Sequence, residues 1–178
     1  MTESLISEFV DKKTLDALST FLDTSDNAKA LESAVKIADV FCLGEQFKVH
    51  AGDKDSEFKL ISSFDKNLVL LIQKTWVEKS DEELKAQVLY HQGEFKSFLE
   101  KKSYKDAYSL FFSIVEDVVY LMFGAQSKSK DFAEYALRID PEFGIFWWYI
   151  SSLPREADWN ADKTKTALLL GMFFLANY

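Results

Sequence analysis

His91 and Glu94 stand three residues apart, so a helix would set them side by side on one face. An imidazole beside a carboxylate can hold part of a metal site or pass a proton. A di-iron centre in a helical bundle asks for more: two Glu-x-x-His motifs and two further glutamates. The chain has two histidines, His50 and His91, and neither follows a Glu at that spacing. The pair His91-Glu94 therefore reads as a solvated helix face, and no metal or cofactor is expected. Glu116-Asp117 is the second acidic constellation, in the middle of the most apolar segment. A carboxylate buried there would need a partner or would titrate upward. The expectation is a narrow polar strip that meets water or a lysine.

Nucleophiles are scarcer still. Cys42 is the one cysteine. It falls in the apolar stripe of its segment, whereas a reactive thiolate needs an electropositive, partly exposed setting. It is expected to be a small buried hydrophobe, and no intrachain disulfide is possible. The six glycines are isolated, so no phosphate-cradling loop exists. Neither a Gly-x-Ser-x-Gly elbow nor a His-Glu-x-x-His helix is present. Glu116, Asp117, His91 and Glu94 are the only polar groups placed to take part in catalysis or hold a small ligand. The chain is not expected to be an enzyme.

The strongest local feature is apolar. Phe146-Trp147-Trp148-Tyr149 would point in all directions around a helix. Trp147 shares a face with Phe143 and Ile150, and Trp148 shares another with Ser151 and Ser152. Either the helix is sandwiched between two neighbours, or Trp148 is an exposed interface anchor. The run from Leu168 to Leu175 raises the same choice: a plug in the core, or a dimer face carrying Leu170 and Phe173.

The elements that must position these residues are helices. Apolar residues recur at helical spacing almost throughout. They do so at Leu31, Ala34, Val35, Ala38, Phe41 and Cys42, at Phe58, Ile61, Phe64, Leu68, Leu71 and Ile72, and at Leu84, Val88, Phe95, Phe98 and Leu99. The run from Tyr104 to Met122 is apolar most of the way round and is expected to be the central helix. Ser80 with Glu83 forms a capping box and Ser103 with Asp106 a second one. Asp140-Pro141 and Asn160 each mark a helix start. The stretch from Leu5 to Leu22 is one helix or two broken at Asp11. These signals predict an all-α fold of seven or eight antiparallel helices, an irregular bundle or a short solenoid, in one domain over residues 1–178.

Composition narrows the partners. The chain of 178 residues has 21 Lys and Arg against 29 Asp and Glu, a formal net charge of −8. Nucleic acid is not expected, since no basic stripe offers to displace counterions from phosphates. Membrane insertion is not expected either: the longest apolar block, near the C-terminus, covers about ten residues of the roughly 20 a span requires. The N-terminus lacks the basic and apolar regions of a signal peptide, so a cytoplasmic location is expected.

Two segments resemble pieces of the tetratricopeptide repeat, a 34-residue helix pair held by small and aromatic residues. Phe98, Tyr104, Ala107 and Phe111 are spaced like the family's Tyr, Tyr, Ala, Phe pattern. Ala136-Leu137-Arg138-Ile139-Asp140-Pro141 is similar to the family's repeat junction, with Trp147 where the next aromatic would sit. The family's turn glycine is Lys102 here. The resemblance covers residues 88–154 and implies stacked helix pairs around a groove. It would place Leu89, Gln92, Lys96, Leu99, Trp148 and Ser152 on that groove, with Gln92, Lys96, Trp148 and Ser152 as the partner-binding set. A protein or peptide partner, and a non-enzymatic scaffold or adaptor role, is the expectation. A homo-oligomer built on the C-terminal helix and a ligand-binding bundle are the alternatives.

Overall fold

The computed structural model describes residues 3–53 and 82–177. The expected helix carrying Phe58 to Ile72 and the capping residue Ser80 lie outside the described residues. Every regular element described is a helix, and no strand occurs among the described residues. The fold is all-α.

The N-terminal stretch is two helices. A short α1 (Glu3–Ile6) stops before Asp11, whose carboxylate accepts from the Thr14 amide at 2.8 Å and opens α2 (Lys12–Asp23). That satisfies one of the unpaired donors of a helix start. Asp26 does the same for α3 (Asn27–Ala38), accepting from the amides of Ala28 and Lys29 at 2.9 and 3.2 Å. The short break between them lays α2 and α3 against each other. A 3₁₀ turn, Asp39–Phe41, leads to α4 (Gly44–Gly52).

The long pair α5 (Glu82–Glu100) and α6 (Tyr104–Phe123) pack together. Ser103 does not cap the following amides; its hydroxyl donates to the Asp106 carboxylate at 2.6 Å. A second 3₁₀ turn, Gly124–Lys128, leads to α7 (Phe132–Ile139), and α7 packs on α8 (Pro141–Ser152). Asp140 accepts from the Phe143 amide and puts Pro141 where no amide is missed. Asn160 caps α9 (Ala161–Ala176) by accepting from the Lys163 amide at 3.0 Å.

The last helix, rather than the expected α6, is the most enclosed. It packs on α3, α4, α6 and α8, and every residue from Ala167 to Phe174 is buried. Leu170 and Phe173 thus fill the chain's own core and present no dimer face. Phe47, Phe95, Phe111, Phe132 and Tyr149 are equally enclosed, and each buried ring stabilises by about 1.5–3 kcal/mol. Two glycines allow close packing, Gly144 against a backbone and Gly171 against a ring. A Cβ on Gly144 would stand 2.6 Å from the Leu137 Cα, and one on Gly171 would stand 2.9 Å from the Phe111 ring. The Tyr149 hydroxyl donates to the Ala167 carbonyl at 2.8 Å and ties α8 to α9.

The segment from Tyr104 to Lys128 is, by length and composition, apolar enough to cross a bilayer. It is a longer apolar stretch than the C-terminal block singled out in the sequence. Half of its most apolar window is buried within the chain, and its outer strip carries Glu116 and Asp117. The core helix of a globular fold has this composition too.

Candidate binding cleft

Trp148 and Ser152 lie one helical turn apart on α8, and both line a cleft closed on its other side by α1 and α2. The facing wall is Leu15, Leu18 and Leu22, which the spacing i, i+3, i+7 brings to one face of α2. Ile6 and Ser7 close the end nearest α1. The volume is about 800 Å³, and the cleft is open to solvent. Leu18 is buried and Leu15 and Leu22 are half-buried, so the wall is apolar yet reachable. Its polar groups are the hydroxyls of Ser7, Ser19 and Ser152 and the charged pair Lys12 and Asp16. The Ser152 hydroxyl donates back to the Trp148 carbonyl at 2.6 Å.

Trp148 is 7% exposed, so it is not the projecting anchor the aromatic run suggested. The helix is sandwiched: α7 lies on one side and α9 on another. Trp147, half-buried, stacks on Phe143 with an interplanar angle of 18° and meets the Phe132 ring edge-on. Gln92 and Lys96 sit on α5, which packs on α6, and neither lines the cleft. Leu99 is buried in the core. The structure therefore brings two of the four expected partner-binding residues to one surface and leaves the other two on a separate helix.

The acidic pair of α6 divides. Glu116 pairs with the Arg155 guanidinium, an exposed contact at the helix edge. Asp117 has one carboxylate oxygen buried without a hydrogen-bond partner among the described residues. Burial raises its pKa above the ordinary aspartate value, and the nearby His91 and Lys128 oppose that rise. His91 in turn meets Glu94 at 3.1 Å. So His91, Glu94 and Asp117 share one neighbourhood while Glu116 belongs to another. Among the described residues no three His, Cys, Asp or Glu side chains gather as a metal-binding group.

Cys42 departs from its expected place. The helix ends at Ala38, and Cys42 follows the 3₁₀ turn in the left-handed conformation (φ 59°), exposed to solvent. The apolar periodicity continued past a helix end that the sequence does not mark with glycine. His50 packs its ring on Phe173 and buries Nδ1 without a hydrogen-bond partner among the described residues.

Lys163 is the polar residue that sequence reasoning missed. It is 3% exposed, and its ammonium donates to the carbonyls of Leu22 and Thr24 at the end of α2. The same ammonium stands 4.5 Å from the centre of the Trp159 ring. Burial lowers its pKa from the ordinary lysine value, and the Asp23 carboxylate opposes that. It holds the α2 wall of the cleft to α9. No family model, curated protein or solved structure matches the chain.

Proposed function

We propose that the chain is a non-enzymatic protein-interaction module that takes a segment of a partner protein into the cleft between α1–α2 and α8. The cleft itself carries the reading. It is open along one side and walled by leucines and Trp148, and its polar groups are the Ser7, Ser19 and Ser152 hydroxyls with Lys12 and Asp16, with no histidine or cysteine among the described lining residues. An apolar wall with a polar rim is the anatomy of a protein interface. The groups that could do chemistry, His91, Glu94 and Asp117, do not line it. The tetratricopeptide-like spacing of residues 88–154 supports the same reading. Lys102, which stands where that family has its turn glycine, adopts the left-handed conformation a glycine would favour (φ 57°).

The test is capture from a lysate of the native host by the full chain and by a Ser19→Arg variant. Ser19 is exposed on α2 and lines the cleft, so an arginine there fills it without touching the core. A protein held by the wild type and lost by the variant supports the reading. A partner that binds both equally places the interface elsewhere and overturns it.

A further inference from the structure

Beside the leucine-walled cleft runs a second furrow, of about 570 Å³, between α2 and α3. The two share Lys12 and Asp16, so the first turns of α2 form a ridge with apolar residues on one flank and charged residues on the other. Four lysines line the furrow: Lys12 and Lys13 from α2, Lys29 and Lys36 from α3. Against them stand two carboxylates, Asp16 and Glu32, and Glu32 already pairs with Lys36 at 3.4 Å. Acids outnumber bases by 29 to 21 over the chain, so this excess of ammonium groups runs against the composition. All four lysines are exposed.

We infer that the occupant of the cleft is an acidic amphipathic segment of a partner protein. Its apolar side chains would lie on Leu15, Leu22 and Trp148, and its carboxylates would cross the ridge to the lysines. The inference rests on the interaction reading above and adds the charge class of the partner. Charge complementarity calls for an anionic partner. The adjoining apolar wall also suits leucine and phenylalanine side chains better than a nucleic-acid backbone or lipid headgroups. Complementary charge chiefly speeds and selects binding, and salt screens it.

A random peptide library displayed on phage, selected on the full chain at low salt, tests this. The expected winners carry net negative charge together with Leu, Phe or Trp. As synthetic peptides they should bind at least about tenfold more weakly to Lys13→Glu/Lys29→Glu, and more weakly at 0.5 M salt than at 0.05 M. They should also be lost on Ser19→Arg, which leaves the lysines in place. Winners lost on Ser19→Arg but neutral or basic, or indifferent to the lysine reversals, overturn the acidic partner while the cleft reading stands. Winners indifferent to Ser19→Arg overturn both. A selection that yields no winner overturns the inference and leaves the cleft reading to its capture experiment. Tight, lysine-dependent binding of a single-stranded RNA 20-mer or of phosphatidylserine vesicles, with no acidic peptide selected, overturns it in favour of phosphate.

Discussion

The ammonium of Lys163 donates to the carbonyl of Thr24 at 2.7 Å, across 139 residues of chain. With its second bond, to Leu22 at 3.0 Å, it satisfies carbonyls that the end of α2 leaves without intrahelical partners. Lys163→Met keeps an unbranched side chain and removes both donors, together with the ammonium that stands over the Phe21 and Trp159 rings. Leaving such groups unpaired costs about 1–3 kcal/mol. The urea midpoint should fall accordingly. An unchanged midpoint would mean that water reaches those carbonyls and that Lys163 is a surface group.

Gly144 is where α8 presses on the backbone of α7. Gly144→Ala adds a methyl that would stand 2.6 Å from the Leu137 Cα and 2.7 Å from its nitrogen. Backbone cannot step aside as a side chain can, so the two helices must part. A loss of about 2 kcal/mol or more is expected, at the upper end of what overpacking costs. Thermal unfolding followed by circular dichroism reads it directly. Gly52, with nothing within 4 Å, is the control site, since Gly52→Ala adds a methyl to open space.

Lys102 ends α5 with a φ of 57°, a conformation that crowds any Cβ. Lys102→Gly relieves that crowding at an exposed position. Against the gain stands the extra freedom of glycine in the unfolded chain. The net expectation is stabilisation by about 0.5–1 kcal/mol. A melting temperature that falls instead would show that the lysine side chain contributes more than its backbone costs.

Tyr108 and Tyr149 set a limit at high pH. Burial raises both pKa values above the ordinary tyrosine value of 10.0. Each hydroxyl also donates to a carbonyl, Pro154 for Tyr108 and Ala167 for Tyr149. With the folded value raised, the unfolded chain gives up these protons first. Stability is therefore intact below about pH 10 and falls as pH rises above the unfolded value. Urea midpoints at pH 8 and pH 11 should differ in that direction. Tyr108→Phe should lower stability at pH 8 by about 1 kcal/mol, through the lost hydrogen bond, and make the alkaline fall shallower. An equally steep fall in this variant would assign the alkaline loss to other groups.

Helix boundaries were readable where a side chain speaks for its own backbone. Asp11, Asp140 and Asn160 cap the helices they precede because the bond runs only three residues along the chain. Cys42 was misread for the same local reason: nothing in its neighbours announces a left-handed turn made by a residue other than glycine. Trp148 and Lys163 were illegible in a different way. The end of α2 reaches Lys163 from far along the chain, and α2 likewise faces Trp148 across the cleft. A lysine beside Asp162 and Lys165 looks solvated until Leu22 and Thr24 are brought to it. The cleft was half legible, since Trp148 and Ser152 share a helix face, and its leucine wall lies about 130 positions upstream.

The position of α9 has a consequence for the order in which the chain is made. Its partners α3, α4, α6 and α8 all precede it, and α3 is complete some 120 residues before α9 begins. At translation rates of about 5–20 residues per second, the apolar faces of α3 and α4 wait on the order of ten seconds for the helix that covers them. During synthesis the faces of α3 and α4 that α9 covers therefore stay open until that helix leaves the ribosome.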